Sequence, residues 1–273
     1  MPKVILHAHV YYPELWSELL GCIENCRAEV GTDSLLVVVT FPEAKPEMRG
    51  MLEKSLSGMR YEIVAVPNRG YDVGPFVEYV LNRPDFTSFD YVIKIHTKRD
   101  SNVFLFFHRF RDGDWRRDLL SFCSTPKAMH RSLRAFERAP RLGMVAGPLS
   151  ISRGGFDYTQ KAIIEIHDNG KRFGIESREA TVVWGTMFMA RTKCLVPLAQ
   201  RFKIEDFEEI DSTNAHKPYS LAHLLEAVFA FAVTSQGYFV GDGKWPYPLA
   251  WIGAKLMFMI GRSWRLIRSF GRL

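Results

Sequence analysis

Apolar and polar positions along the chain fall into blocks whose period switches between that of a strand and that of a helix. Val4 to Val10 is a short apolar run rich in β-formers, and in the following YYPELWSELLGCIENC the residues Leu15, Leu19, Leu20 and Ile23 recur at helical spacing. SLLVVVTF is continuously apolar, the composition of a strand covered on both faces. PEMRGMLEKSLSGM then reads as a helix and YEIVAVP as a third strand. Strand followed by helix, repeated in order, predicts an α/β fold with a doubly wound, mostly parallel sheet flanked by helices.

After NRGYDVGP the pattern predicts a short helix over FVEYVLNR and a buried strand over DYVIKIHTK. RLGMVAGPL and TVVWGTMFMAR each predict one strand. SLAHLLEAVFAFAVTSQG predicts a helix with Ser220 as its N-cap and Gly237 as its stop. Without a Pro/Ser-rich linker or an internal repeat, residues 1–243 are expected to form one domain and residues 244–273 a separate tail. Placed on a helix, Leu249 to Leu273 puts Arg262, Arg265, Arg268 and Arg272 on one side and Ile252, Leu256, Met259, Ile260, Ile267 and Phe270 on the other. That is the pattern of an amphipathic helix lying in an anionic membrane surface, too short and too charged to span it.

Charge sharpens this division. The 36 basic and 30 acidic residues give a formal charge of +6, yet six basic residues and no acidic ones lie from Lys244 onward, so the preceding part is balanced. A duplex-binding surface would carry its excess on the folded domain, so no nucleic-acid partner is expected. The four cysteines form no CxxC pair, which argues against a zinc site, and they suit a reducing cytoplasm. No export signal is expected ahead of the first strand. GxSxG, the Walker loop and HExxH are all missing, which removes the usual marks of hydrolases and phosphotransferases.

Ligands of such sheets bind at the carboxyl ends of the strands, where two polar segments fall. In PNRGYDVGP, Asn68, Arg69, Gly70 and Asp72 combine an amide, a cation, an open backbone position and a carboxylate, a mixture suited to a sugar nucleotide. The strand YVIKIHTK ends in His96, Thr97 and Lys98, with Lys94 interrupting its apolar run. Lys98 and Arg99 are placed to balance a diphosphate. His7 and His9 on the first strand are expected on opposite sides, so that at most one of them meets a donor or acceptor. Tyr11 and Tyr12 suit either stacking on a base or sugar or packing of the first helix. Trp184, Gly185 and Thr186 suit either a sugar platform or an ordinary core position.

An Asn-x-Gly segment, a short helix and a strand ending in a polar triplet is also the order found in glycosyltransferases of the GT-A fold, with HTK here in the place of their metal-binding DxD. The wording HAHVYYPEL, NRGYDVGPF, YVIKIHTKR, DWRRDLL, GTMFMAR and AHLLEAVF resembles the rhamnan synthesis protein F family from about His7 to Phe229. The resemblance implies a GT-A-like enzyme moving a deoxysugar, typically rhamnose, from a nucleotide-diphosphate donor to a growing lipid-linked polysaccharide at the cytoplasmic membrane face. Inversion at the anomeric carbon is expected with it, and with Lys98 and Arg99 to balance the diphosphate neither a divalent metal nor another cofactor is expected. On the same footing Glu226 is the candidate general base, with His223 to orient it and Asp206 or Asp72 as alternative carboxylates. Ala227 stands where the family's usual wording has Arg. A second expectation from another class is an inactive transferase-like scaffold that binds sugar nucleotide or glycan.

Overall fold

A strand rich in aliphatic and β-branched residues is stable only where both of its faces are covered. β1 (Val4–His9) and β2 (Leu35–Pro42) meet that condition, since every residue in them is buried. The computed structural model describes residues 1–99, 104–105, 108–109, 114–153, 167–176, 180–210 and 220–243. Between β1 and β2 runs α1 (Trp16–Val30), and α2 (Met48–Ser55) leads to β3 (Tyr61–Val66). α3 (Val73–Phe76) continues into one π-helical turn, Val77–Leu81, before β4 (Tyr91–His96). The two-residue strands β5 (Phe104–Leu105) and β6 (His108–Arg109) pair with each other. Next come α4 (Asp114–Leu120), α5 (Pro126–Arg138) and β7 (Leu142–Ala146). β8 (Ile151–Arg153), the described part of α6 (residues 167–172), β9 (Thr181–Val183) and β10 (Phe188–Arg191) follow. α7 (Thr192–Leu195), α8 (Leu221–Ser235) and β11 (Phe239–Gly241) complete the described elements.

The main sheet has seven strands in the order β11-β7-β10-β4-β1-β2-β3. All neighbours are parallel except at β10, which runs against both β4 and β7. This is the mostly parallel α/β sheet that the strand and helix periods predict. One expectation needs correction: TVVWGTMFMAR is two strands, because Gly185 (φ 76°) and Thr186 (φ 50°) turn the chain between them. β9 pairs with β8 in a small separate sheet, and β10 enters the main one. The proposed tail helix lies outside the described residues.

Each face of the sheet carries its own core. On one face α1, α4 and α5 contribute Trp16, Leu19, Ile23, Leu119, Leu133 and Phe136, together with the buried cysteines Cys22, Cys26 and Cys123. On the other, α3 and α8 bring Phe76 and Phe229 against Phe188 of β10, with ring centroids 5.5–6.0 Å apart. α8 is apolar nearly all round, as a helix buried between a sheet and other elements must be. Its ends are set as the sequence predicts. The Ser220 side chain caps the N-terminus, and Gly237 takes a left-handed conformation (φ 77°) past the C-terminus.

Candidate functional site

Residues two apart in a strand share a face, and this rule assembles the site. It also corrects the expectation for His7 and His9, which lie on the same side and not on opposite ones. His7 Nε2 and His9 Nδ1 each lie 2.9 Å from the hydroxyl of Thr40 on β2. In register with them on β4 stand Lys94 opposite His7 and His96 opposite His9. Lys94 shows no exposure at all, and the two histidines of β1 and His96 are buried. The face that holds these polar groups toward the strands' carboxyl ends holds the Phe76, Phe188 and Phe229 cluster beside them. The His7 ring sits 5.6 Å from that of Phe76.

A buried ammonium needs a full set of acceptors, and Lys94 has one. Its Nζ donates to Asp72 Oδ2, to the Thr186 carbonyl at 3.1 Å and to the Thr186 hydroxyl at 2.9 Å. That hydroxyl in turn donates to Asp72 Oδ2 at 2.6 Å. The two segments joined this way share a backbone feature. Gly70 (φ 65°) and Tyr71 (φ 54°) precede Asp72, while Gly185 (φ 76°) accompanies Thr186 (φ 50°). A left-handed conformation is a true outlier for a β-branched residue such as Thr186. At both glycines a Cβ would also collide, with the Phe207 ring at Gly70 and with Leu119 at 2.7 Å at Gly185. Immediately beside this network the Gly185 N–H donates to Glu226 Oε1 on α8.

The other residues singled out by sequence have varied placements. Asn68 and Arg69 point their side chains at the chain segment after α7, Asn68 Nδ2 to the Ile210 carbonyl (2.7 Å) and Arg69 Nη1 to the Phe207 carbonyl (3.0 Å). Their role in the structure is to bind that segment to the Gly70 turn. Thr97 accepts from the backbone N–H groups of Tyr11 and Tyr12 at 2.9 and 3.0 Å, and so shapes the exit of β1. Arg99 is exposed, paired with Glu14 and stacked 4.4 Å from the Tyr12 ring. Lys98 is half-buried, and among the described residues no carboxylate pairs with it. Asp206 is exposed, where its carboxylate accepts from the Lys203 N–H at 2.8 Å. His223 shares α8 with Glu226, but its Nδ1 lies 2.6 Å from Ser220 Oγ and its ring 5.4 Å from that of Tyr71. The group that orients Glu226 is therefore the Gly185 N–H and not His223. Trp184 is half-buried, and its backbone N–H donates to the Ser150 carbonyl at 2.9 Å.

Charge states follow from this packing. Burial opposes ionisation of Asp72, but the adjoining His96 ring, the Lys94 ammonium and the hydrogen bonds from Lys94 and Thr186 hold its carboxyl well below the usual range. Burial also drives His96 well below its ordinary value, so at neutral pH the counter-charge of Asp72 is that of Lys94. His7 is pushed well down by burial, and His9 down to about 4. Glu226 moves the other way. Burial raises its carboxyl, against the Gly185 hydrogen bond and the charge of Lys98. Burial lowers the Lys94 ammonium as well, against the charge and hydrogen bond of Asp72. One face thus presents a carboxylate held ionised, an ammonium sustained by that carboxylate, three neutral imidazoles and a second carboxyl tuned upward. Among the described residues no group of three His, Cys, Asp or Glu side chains is arranged to hold a metal ion.

Sequence reading missed Thr40 and Tyr71, and saw Lys94 only as an interruption. A charge inside a fully apolar strand was the available signal, since it demands a buried partner. The partner's identity lies 22 residues earlier in a turn that has no periodicity.

A family model described as rhamnan synthesis protein F matches residues 1–238. Two curated relatives, both called uncharacterized protein WxcX, come from two strains of Xanthomonas campestris pv. campestris. Each is 26% identical over 247 residues, covering 87% of this chain and 32% of the relative. The chain thus spans about a third of the length of the curated relatives it matches. Among solved structures, core-mannan synthase A from Aspergillus fumigatus, in its Mn/GDP form, aligns with 88% of this chain and 70% of its own. The TM-score is 0.31 and the identity 8%.

Two expectations test the site. Lys94→Met and Asp72→Asn should each lower stability, Lys94→Met by about 3–5 kcal/mol because it strands a buried carboxylate. The double variant should lose clearly less than the sum of the two in urea unfolding, and strict additivity would contradict the coupling. The buried histidines set a pH trend. Their folded-state values lie below the ~6.5 of the unfolded chain, so the unfolded state takes up protons first and stability falls as pH drops from ~6.5 toward the folded-state values. Each contributes up to about 1.4 kcal/mol per pH unit in that window. His9→Gln should flatten part of the slope between pH 6.5 and 5 in denaturant midpoints, and an unaltered slope would show that His9 is protonated in the folded state.

Proposed function

The chain belongs to the rhamnan synthesis protein F family, and from that premise we propose that it is a glycosyltransferase of polysaccharide synthesis. In this reading it moves a deoxysugar, rhamnose, from a nucleoside-diphosphate donor onto a lipid-linked glycan, with inversion at the anomeric carbon. The observation that carries the reading is Glu226. It is a half-buried carboxyl on a rigid helix, raised by burial and held through one oxygen by the Gly185 N–H. A general base is most effective when its protonation lies near the working pH, and burial moves Glu226 in that direction. The other two carboxylates fit less well: Asp72 is fixed as an anion by Lys94, and Asp206 is exposed and engaged with Lys203.

The chemistry assigned to these groups is a single displacement. An acceptor hydroxyl gives its proton to the Glu226 oxygen not held by Gly185 as its own oxygen bonds to the anomeric carbon. The bond from that carbon to the diphosphate breaks, and the diphosphate leaves with the electron pair. Lys98 lies close enough for its charge to act on Glu226, His96 and Lys94, and it is assigned the stabilisation of that leaving group. Arg99, engaged with Glu14, is not needed for this, and the reading invokes no divalent metal.

The assay is sugar transfer from a panel of nucleoside-diphosphate deoxysugars to a lipid-linked oligosaccharide, with and without chelator. Glu226→Gln should lower kcat by roughly 10²–10⁴ while donor binding persists. Unchanged turnover in Glu226→Gln would sink the assignment of the base, and loss of wild-type turnover on chelation would remove the metal-free step. In this reading the enzyme works on its lipid-linked acceptor at the inner face of the membrane, with the basic, amphipathic sequence 244–273 as its contact. Deleting residues after Gly243 should release the protein from anionic vesicles in flotation, and undiminished binding would rule the segment out as that contact.

A further inference from the structure

The Lys94 network has a feature that its own stability does not require. All three ammonium donors are taken up by Asp72 and Thr186, so Lys94 has none left for a ligand. What the network holds is a conformation: the consecutive left-handed residues Gly185 and Thr186, the second of them β-branched. Thr in that region costs on the order of 1–3 kcal/mol and persists only where surroundings over-determine it. Here three hydrogen bonds over-determine it. The Thr186 hydroxyl donates to Asp72 and accepts from Lys94, and its carbonyl accepts from Lys94 as well. The residue held in place next to it is Gly185, whose N–H is the one group bonded to Glu226 among the described residues.

We propose that Thr186 is a positioning residue: through Asp72 and Lys94 it locks the 184–186 turn so that the Gly185 N–H fixes one oxygen of Glu226 and leaves the other free for the substrate. The chain of contact runs from the sheet (Lys94) through a side-chain hydroxyl (Thr186) to a backbone donor (Gly185) and ends on the helix (Glu226). This rests on the reading of Glu226 as the base, and it adds which groups aim it. It also accounts for the matching Gly70–Tyr71 turn, which delivers Asp72 to the same point from the opposite side.

Thr186 is the informative position because it is uncharged. Removing Asp72 or Lys94 would alter the field at Glu226 directly, since the charges of both act on it along with that of Lys98. Substituting Thr186 leaves those three groups in the protein and removes only the lock. Thr186→Val keeps the shape and loses the hydroxyl, Thr186→Gly relieves the left-handed strain and loses the hydroxyl, and Thr186→Ser retains the hydroxyl.

The Glu226 carboxyl is followed by carbon NMR titration in protein labelled at glutamate, with Glu226→Gln for assignment. The lock predicts that Thr186→Val and Thr186→Gly both move the titration to higher pH, because the Gly185 hydrogen bond that favours the carboxylate is lost, and that Thr186→Ser restores it toward wild type. Turnover in the two hydroxyl-less variants should fall by roughly tenfold or more in kcat, with donor KM changed by less than about twofold. A merely structural Thr186 predicts the reverse for Thr186→Gly, a relaxed turn with an unmoved titration. Coincident titrations in wild type and Thr186→Gly would overturn the proposal, even if Thr186→Val failed to fold. A titration that moves while kcat does not would uphold the lock and dismiss Glu226 as the base, so the two readings fail separately.

Discussion

An ammonium with no exposure, set in a strand at the middle of a seven-stranded sheet, is the constraint around which this site is arranged. Lys94 is tolerable there only if a carboxylate and further acceptors meet it, because removing a charge from water costs several kcal/mol per ion. The backbone meets that demand from two sides. The turn after β3 brings Asp72 down onto the sheet, and the turn between β9 and β10 brings in the hydroxyl and carbonyl of Thr186. Both turns use consecutive left-handed residues, a glycine and then a non-glycine outlier, Tyr71 on one side of the ion pair and Thr186 on the other. Buried pairs of this kind add little net stability over a well-packed apolar substitute. What they add is a unique arrangement of the segments they join.

Uniqueness matters at this position because the neighbouring groups differ in character. Burial lowers His7, His9 and His96 and leaves them neutral, whereas Asp72 remains charged within a few ångströms of His96. Glu226, on an otherwise apolar helix, is raised by the same burial. Similar environments thus give opposite outcomes for two carboxyls: the one with an ammonium partner is held ionised and the one with a single backbone N–H is left tunable. The separation of two acids by environment is a recurrent way of assigning them different tasks.

Much of the fold was legible in the chain. Continuous apolar runs such as SLLVVVTF could only be covered strands, the alternation of strand and helix could only wind one way, and Ser220 and Gly237 bounded α8 as their capping chemistry requires. The reversal at Trp184–Thr186 was not legible, because Thr186 is a β-former and nothing local announces that it will be held left-handed by contacts 92 and 114 residues away. Within the site, sequence picked out Asp72, His96, Glu226 and Thr186, which the structure does bring together, but assigned Asn68, Arg69 and Thr97 to ligand when their side chains bind backbone. Polar residues near strand ends serve both purposes, and composition alone does not distinguish them. His7 and His9 are a simpler case: the two-residue period of a strand places them together, and both converge on Thr40.

The division of labour among the cations follows from the same geometry. Of the positive groups near the carboxyl ends of β1 and β4, Lys94 is saturated by Asp72 and Thr186, Arg99 is paired with Glu14 and stacked on Tyr12, and Arg69 is engaged with Phe207 and Glu209. Lys98 is half-buried, with its charge felt by Glu226, His96 and Lys94 and with no carboxylate partner among the described residues. A lysine in that position keeps a flexible point charge available to an anion, while the rigid cations beside it are held to the scaffold. The polar exit of β4 therefore splits by residue: Lys94 and Thr97 are bound into the scaffold, and Lys98 has no carboxylate partner among the described residues.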